Sequence, residues 1–228
     1  MEAKVLNLLF EAFQWLADGR NWLGQSGIFE RVGQHIVFVA AVVSISTLIA
    51  LPIGLYIGHT GRWKNLVMIG TGAARAVPTL GLLTLVGLWL GIGWQAPLIA
   101  LVALAIPPII AGAYSGVISS QGSSDAARAI GLTEAQILTQ LEIPAGAPLI
   151  LAGVRSAVLQ VIATATLAAY TADLGLGRFL YTGLKTRDYG QMIGGAIVVV
   201  ALALITDAIL AGLTRLLRSR THSDLQTL

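Results

Sequence analysis

Residues 35–59 read HIVFVAAVVSISTLIALPIGLYIGH, a stretch without Asp, Glu, Lys or Arg. Two basic residues, Arg62 and Lys64, follow it closely. About 20 apolar residues in a helix, at about 1.5 Å rise per residue, cross the hydrocarbon core of a bilayer. Residues 35–59 are therefore long enough to span a membrane as one helix, and they predict a membrane protein.

The composition of the whole chain supports the same prediction. Of its 228 residues, 56% are hydrophobic and 11% are charged, and its mean hydropathy is +0.80. Soluble domains carry about 25% charged residues, so an ordinary soluble domain is excluded, and the high hydrophobicity excludes intrinsic disorder. The net charge of +3 is small and scattered, and it gives no indication of nucleic-acid binding. With no cysteine and three scattered histidines, the sequence indicates neither a disulfide nor a metal site.

Further apolar stretches of similar length follow, and together they predict an all-α polytopic membrane protein with about five transmembrane helices. No segment shows the strict alternation over about 10 residues that a β-barrel strand requires. Within residues 65–91, Pro78 removes a helical hydrogen bond and kinks the helix. One long bent helix is expected there, and two shorter segments are the alternative. The further stretches cover residues 66–90, 97–118, 148–170 and 192–217.

The two ends of the chain differ from this apolar body. In residues 1–34, apolar residues recur at helical spacing with polar residues opposite, which is typical of an amphipathic helix. Such a helix lies in the membrane interface or packs on the bundle. Residues 218–228, with the preceding Arg215, form a basic tail expected to lie beside anionic lipid on the cytoplasmic side. The predicted organisation is an N-terminal amphipathic segment (1–34), a transmembrane domain (35–217) and a basic tail (218–228).

A polar stretch, residues 122–144, joins the third and fourth apolar stretches and reads GSSDAARAIGLTEAQILTQLEIP. Its pattern predicts two short helices separated by a glycine. The helix signals are Ser123 or Ser124 as the first N-cap, Gly131 as a left-handed C-terminal residue, Thr133 with Gln136 as a capping box, and Pro144 as the end of the second helix.

The spacing in this stretch resembles the cytoplasmic signature of the permease subunits of binding-protein-dependent ABC importers. That signature is Glu-Ala-Ala, three residues, glycine, nine residues and then Ile-x-Leu-Pro. Here Asp replaces Glu, and the Ile and Leu positions are exchanged, which are conservative changes. The matching residues, at the same spacing, are Asp125, Ala126, Ala127, Gly131, Leu141, Ile143 and Pro144.

The likeness extends over residues 35–217, which resemble the five-span permeases of osmoprotectant importers. It is carried by RAVPTLGLL (75–83), IPPI (106–109), LAGVRSA (151–157) and LGLG (174–177). The resemblance implies a subunit that is not an enzyme and that moves a small osmoprotectant such as glycine betaine, carnitine or choline. A permease for another small solute such as methionine is the alternative, followed by a self-contained channel or secondary transporter.

The partners are also implied by the resemblance. No G-x-x-x-x-G-K-[ST] motif occurs in the chain, so it has no P-loop to bind ATP, and no cofactor is expected. Separate ATPase subunits would bind ATP and receive residues 122–144. A second permease subunit, the same or related, and an extracytoplasmic substrate-binding protein complete the expected complex. The location is the cytoplasmic membrane, with the C-terminus cytoplasmic and the N-terminus outside.

Apart from Arg215 near the end of the last stretch, three charged side chains fall inside the predicted spans: Arg75, Arg155 and Asp207. They lie at similar depth, roughly 15 Å from the inner ends of their spans at 1.5 Å per residue. Because charges are costly in lipid, Asp207 is expected to pair with Arg155 or Arg75, within or between subunits. Polar residues at every fourth position of the fourth span form one stripe, which lines a pore or bonds neighbouring helices. Candidates for the translocation path or an intramembrane ion pair are Arg75, Arg155, Ser156, Gln160, Thr164 and Asp207.

Overall fold

The structure, a computed structural model, describes the backbone of residues 2–225. It describes the side chains of residues 5–215 apart from 66, 68, 71 and 73–75. All regular secondary structure in this part of the chain is helical, so the all-α prediction is confirmed.

The helices follow one another with short connections. A 3₁₀ turn (Gly19–Asn21) follows α1, a π-helical segment (Ile137–Glu142) leads into α8, and a 3₁₀ segment (Ala165–Tyr170) follows it. The α-helices are α1 (Glu2–Ala17), α2 (Ile28–Thr60), α3 (Lys64–Ala76), α4 (Thr79–Leu90), α5 (Gln95–Ile118), α6 (Gln121–Ala129), α7 (Glu134–Gln136), α8 (Ile143–Thr164), α9 (Gly177–Thr186) and α10 (Tyr189–Leu225).

Among the described residues, four helical segments are long and apolar enough to cross a membrane. They are Ile28–Thr60, Gln95–Ile118, Glu134–Tyr170 and Tyr189–Arg215. They coincide with four of the five apolar stretches in the sequence. The first of these helices begins at Ile28, seven residues before the charge-free stretch 35–59, and it includes Glu30 and Arg31.

The remaining apolar stretch, residues 66–90, is broken into α3 and α4. The expectation of one long bent helix is wrong, and the alternative of two segments is correct. Proline disfavours the helical conformation of the residue before it. Accordingly Val77 is extended (φ −71°, ψ 118°), and Pro78 itself has ψ 115°. Two extended residues in succession end one helix and start another.

The chain forms two compact units. The first unit contains the chain up to Val42, Pro78–Val102 and Leu159–Ile205. The second unit contains Val43–Val77, Ala103–Val158 and the chain from Thr206 onward. Helices α2, α5, α8 and α10 each contribute residues to both units.

A buried histidine organises the first unit. His35 is buried, its Nε2 lies 3.0 Å from the carbonyl oxygen of Ile162, and its Nδ1 accepts a hydrogen bond from the Leu176 N–H at 3.4 Å. The same first part of α2 holds the buried Arg31, whose Nη2 lies 2.9 Å from Asp173 Oδ1. These contacts attach α2 to α8 and to the loop before α9.

The N-terminal helix α1 belongs to the first unit and packs against α9. The ring of Trp15 contacts the ring of Phe179 edge-on, with their centroids 5.2 Å apart. Ala12 is buried, whereas Phe10 and Phe13 are exposed. The helix therefore packs on its neighbours by one side and leaves aromatic side chains uncovered; the boundary predicted at residue 34 and the interfacial position stay predictions.

Close contact between α5 and α8 organises the second unit. A Cβ atom added to Gly112 would lie 2.6 Å from Gly153 Cα, and one added to Gly116 would lie 2.8 Å from the Gly146 carbonyl oxygen. Real Cβ atoms do not approach so closely, and small residues at such positions are the usual means by which membrane helices meet. These glycines bring the backbone of α8 directly against α5 and so fix the start of α8, from which the polar segment projects.

Candidate functional site

The polar segment, residues 122–144, contains the helix break that the sequence predicts. Gly131 has φ +93°. Its N–H donates to the Arg128 carbonyl at 3.1 Å, and the Leu132 N–H donates to the Ala127 carbonyl at 3.1 Å. These two bonds form a Schellman motif, which requires a left-handed residue and therefore favours glycine. Gly131 thus ends α6 as predicted.

The second helix of the segment starts with the predicted capping box. The Gln136 N–H donates to Thr133 Oγ1 at 3.4 Å, and the Thr133 N–H donates to Gln136 Oε1 at 2.9 Å. Both contacts satisfy N–H groups that a helix start leaves unpaired. The prediction for Thr133 and Gln136 is confirmed.

Two other expectations for the segment are wrong. The N-cap of α6 is Ser120, not Ser123 or Ser124, and it makes no side-chain capping bond; Ser124 is a buried residue within α6. Pro144 does not end the second helix, because the π-helical segment runs directly into α8. Pro144 is the second residue of α8, directly after the π-helical segment, and the helical backbone continues through it. From Glu134 onward, the second helix of the polar segment and the fourth span are consequently one continuous helical rod.

A buried carboxylate lies at the centre of the segment. Glu142 is 1% exposed. Its Oε1 accepts a hydrogen bond from Ser124 Oγ at 2.9 Å, and its Oε2 lies 2.6 Å from His59 Nδ1. The other ring nitrogen of His59, Nε2, lies 3.2 Å from Glu134 Oε2. We call His59, Ser124, Glu134 and Glu142 the Glu142 cluster.

The Glu142 cluster fastens the polar segment to the end of α2. His59 belongs to the last turn of α2, Ser124 to α6, and Glu142 to the π-helical segment. Both ring nitrogens of His59 lie near a carboxylate, Nδ1 near Glu142 and Nε2 near Glu134. Because a buried carboxylate is strongly unfavourable without such partners, the three elements are held as one body.

A second set of charges orders the exposed side of the segment. Arg128 Nε and Nη2 donate to the two carboxylate oxygens of Glu134 at 2.9 and 3.0 Å, and its Nη1 donates to Asp125 Oδ1 at 2.9 Å. The hydrogen bonds that Arg128 donates to Glu134, followed by the one it donates to Asp125, raise the pKa of the Arg128 guanidinium above its usual value. Exposed pairs contribute little to stability, so their effect here is to orient Asp125 and Glu134.

The residues that match the importer signature lie on both sides of the segment. Ala127 is buried, and Leu141 and Ile143 are half-buried. Asp125, Ala126, Gly131 and Pro144 are exposed. Beside Gly131, Ile130 is 80% exposed, so an apolar side chain stands uncovered at the tip of a polar segment.

The structure also brings Asp207 to Arg155, within one chain. Arg155 Nε lies 2.6 Å from Asp207 Oδ1, and Nη2 lies 2.7 Å from Oδ2, a bidentate pair between α8 and α10. Each side chain is about one third exposed. Arg75 lies in α3, but its side chain is outside the part of the chain that the structure describes.

The three residues of the polar stripe on α8 differ in their exposure. Ser156 is exposed, and Gln160 and Thr164 are half-buried. Thr164 Oγ1 donates to the Gln160 carbonyl at 2.8 Å, so its hydroxyl is satisfied within its own helix.

Sequence reasoning missed His59 and Glu142 as functional candidates. The available signal was Glu142 itself, a carboxylate between Leu141 and Ile143 at the start of an apolar stretch. Such a group requires a partner, but helical periodicity relates only residues that are close in sequence. His59 lies 83 residues away, and nothing in the local pattern connects the two.

Comparison with known proteins places this geometry in a family. The family model of the binding-protein-dependent transport system inner membrane component matches residues 50–222. The carnitine transport permease protein OpuCB of Listeria monocytogenes is 32% identical, over 76% of this chain and 80% of that protein. The choline transport system permease protein OpuBB of Bacillus subtilis is 29% identical, over 78% of this chain and 82% of that protein. The osmoprotectant import permease protein OsmY of Salmonella typhimurium is 29% identical, over 82% of this chain and 81% of that protein.

Solved structures show the same fold. A chain of the MetNI methionine ABC transporter, in an inward facing conformation, matches with a TM-score of 0.71 and 19% identity, over 83% of this chain and 95% of that chain. The family match includes the whole polar segment and both partners of the Arg155–Asp207 pair. The resemblance to ABC importer permeases is thus confirmed, and the protein is a multi-pass membrane protein rather than an enzyme. The chain belongs to the family of binding-protein-dependent transport system inner membrane components.

Proposed function

We propose that this chain is the permease subunit of an ATP-driven importer for a small osmoprotectant such as glycine betaine, carnitine or choline. The proposal for the solute is supported by relatives named as carnitine and choline permeases, which align with more than three quarters of the chain. The methionine alternative has weaker support, because the methionine transporter chain is 19% identical and shares the fold alone.

The observation that carries the transport proposal is the construction of the polar segment. A self-contained channel does not require a helix–glycine–helix segment that is held in place by a buried carboxylate, as Glu142 holds this one. We infer that the segment docks on a separate ATPase subunit, which binds the ATP. Its exposed residues Asp125, Ala126 and Ile130 are suited to this contact. Arg128 holds the Asp125 carboxylate in one orientation, and Ile130 presents an exposed apolar side chain.

Movement of the docked segment would pass to the membrane helices by two routes. The π-helical segment continues directly into α8. The Glu142 cluster joins the segment to α2 through His59. ATP binding at the partner would then bias an equilibrium between two arrangements of these helices, which is how ligands shift conformations.

The orientation and the partners follow from this docking. The polar segment and the C-terminus would lie on the cytoplasmic side, and α3 and α4 together would supply a fifth, broken crossing that leaves the N-terminus outside. The basic residues Arg62, Lys64 and Arg128 are consistent with a cytoplasmic side.

A second permease subunit, the same or related, would complete the pathway, and a substrate-binding protein would meet the outer loop 172–190. The basic tail would contact anionic lipid; its side chains from residue 216 onward lie outside the described residues.

The Arg155–Asp207 pair is proposed to fix α8 against α10 rather than to gate the solute. Its bidentate geometry supports this role, because two parallel hydrogen bonds define one relative position of the two helices.

The first prediction concerns Gly131. A side chain at its left-handed φ costs about 1–2 kcal/mol, so Gly131→Val should distort the segment and lower ATP-dependent uptake about tenfold while membrane insertion is unchanged. Deletion of residues 125–131 should abolish uptake. Uptake is measured in proteoliposomes containing the complete importer, and Gly122→Val, in the same segment with open space around it, is the matched control. Uptake by the deletion variant equal to that of the wild type would contradict the proposal.

The second prediction concerns coupling through Glu142. Glu142→Gln keeps the shape of the side chain but removes the charge that His59 faces, and hydrogen bonds to charged groups are worth about 1.5–3 kcal/mol. The solute transported per ATP hydrolysed should fall at least about fivefold, while ATP hydrolysis continues. Glu134→Gln, which changes the exposed partner of the same histidine, is the control and should change this ratio less. An unchanged ratio in Glu142→Gln at normal protein amount would refute the role of the cluster.

The third prediction separates packing from gating at Asp207. Asp207→Asn should lower the melting temperature and the amount of protein in the membrane, while uptake per molecule is retained. The charge-exchanged double variant Arg155→Asp/Asp207→Arg should restore the protein amount, since a structural pair works in either direction. Loss of uptake in both variants at normal protein amount would instead assign the pair to the solute pathway.

A further inference from the structure

A groove of about 500 Å³ in the first unit combines one carboxylate and one amide with two aromatic rings in walls that are mostly apolar. We call it the Trp94 groove. Trp94 is 55% exposed, and Phe38 is buried. The lining residues used below are Glu30, Gln34, Phe38, Trp94, Leu98 and Leu174.

The carboxylate of this groove has no cation beside it. Glu30 Oε1 accepts a hydrogen bond from Gln34 Nε2 at 3.0 Å. The neighbouring Arg31 turns instead to Asp173, which also pairs with Arg178 at 2.8 Å. Within the described part of the chain, no Lys, Arg or His side chain lies at ion-pair distance from Glu30.

Gln34 holds this carboxylate in place. While its Nε2 donates to Glu30, its Oε1 accepts hydrogen bonds from Arg31 Nη1 at 3.1 Å and from the Gly175 N–H at 3.2 Å. The amide is thereby fixed between α2 and the loop before α9. The hydrogen bond orients the exposed Glu30 carboxylate, which lowers the side-chain entropy that would be lost when a positive charge binds in the groove.

We propose that the Trp94 groove binds the quaternary ammonium group of the transported solute. A quaternary ammonium has no N–H and cannot form a hydrogen bond from nitrogen, so it is recognised by aromatic faces and by charge. Trp94 and Phe38 supply the rings, Glu30 supplies the charge, and Leu98 and Leu174 provide apolar contact for the methyl groups. This inference rests on the proposed function, and it places part of the substrate recognition on the permease itself.

The position of the groove is suitable for a solute entering the pathway. Glu30 lies in the first turn of α2, and Trp94 directly precedes α5. Leu174 belongs to the loop 172–190, which would face the substrate-binding protein under the proposed function. The groove would therefore receive the cationic group where it first meets the membrane subunit.

The test uses equilibrium dialysis to measure the binding of radiolabelled choline to the assembled permease and ATPase subunits in the absence of the substrate-binding protein. Trp94→Leu and Glu30→Gln should each weaken binding about tenfold, in keeping with the strength of cation–π contacts, whereas Trp94→Phe should retain most of it. The neutral isostere 3,3-dimethylbutan-1-ol should not compete. Matched controls are Trp89→Leu, which removes a tryptophan that is 81% exposed outside the groove, and Glu11→Gln in α1.

The outcomes separate this inference from the proposed function. If the wild-type importer with its binding protein takes up choline, but Trp94→Leu and Glu30→Gln bind and transport it as the wild type does, the site is wrong and the function stands. Lipid or the second permease subunit would then cover the groove. If the wild-type importer takes up neither choline, carnitine nor glycine betaine, the proposed function fails and this inference fails with it.

Discussion

The buried carboxylate of Glu142 imposes a requirement on which the second unit depends. A carboxylate that is 1% exposed must be hydrogen-bonded and neutralised, and its partners come from two other elements, His59 of α2 and Ser124 of α6. His59 occupies the last turn of α2, so the carboxylate is attached to the end of that helix. One charge thus determines where the polar segment lies relative to the helix ends beside it.

The same principle holds in the first unit, with other residues. His35 and Arg31 are buried near the start of α2, and they find their partners in α8 and in the loop that follows it. Among the side chains that the structure describes, none supplies a cation at ion-pair distance from Glu30, which lines the same groove as Trp94. A polar network in which Arg31 and His35 have partners and the Glu30 carboxylate makes no ion pair is the structural basis for proposing a cation site there. Arg31 and His35 lie one and five residues from Glu30 on a single helix.

The sequence predicted those features that depend on local chemistry. Charge-free stretches predicted the spanning helices, and Gly131 and Thr133 predicted the helix break and the capping box. Similar depth in the membrane predicted that Asp207 pairs with Arg155 or Arg75, and the structure pairs it with Arg155. Predictions at Pro78 and Pro144 failed because the effect of proline depends on the backbone around it. Pro78 and its extended neighbour Val77 end one helix and start another, whereas the helix continues through Pro144 directly after the π-helical segment. The contact between His59 and Glu142 could not be predicted, because it depends on how α2 and α8 pack and on no local pattern.

The central claim is that the polar segment contacts an ATPase subunit through its exposed tip. Because the chain contains no cysteine, a single cysteine introduced at Ile130 can be coupled to a photoactivated cross-linker without background. In membranes containing the complete importer, Ile130→Cys should cross-link to the ATPase subunit, and Trp89→Cys, equally exposed but at the end of α4, should not. Absence of an ATPase cross-link from residue 130 in an importer that transports its solute would contradict the account.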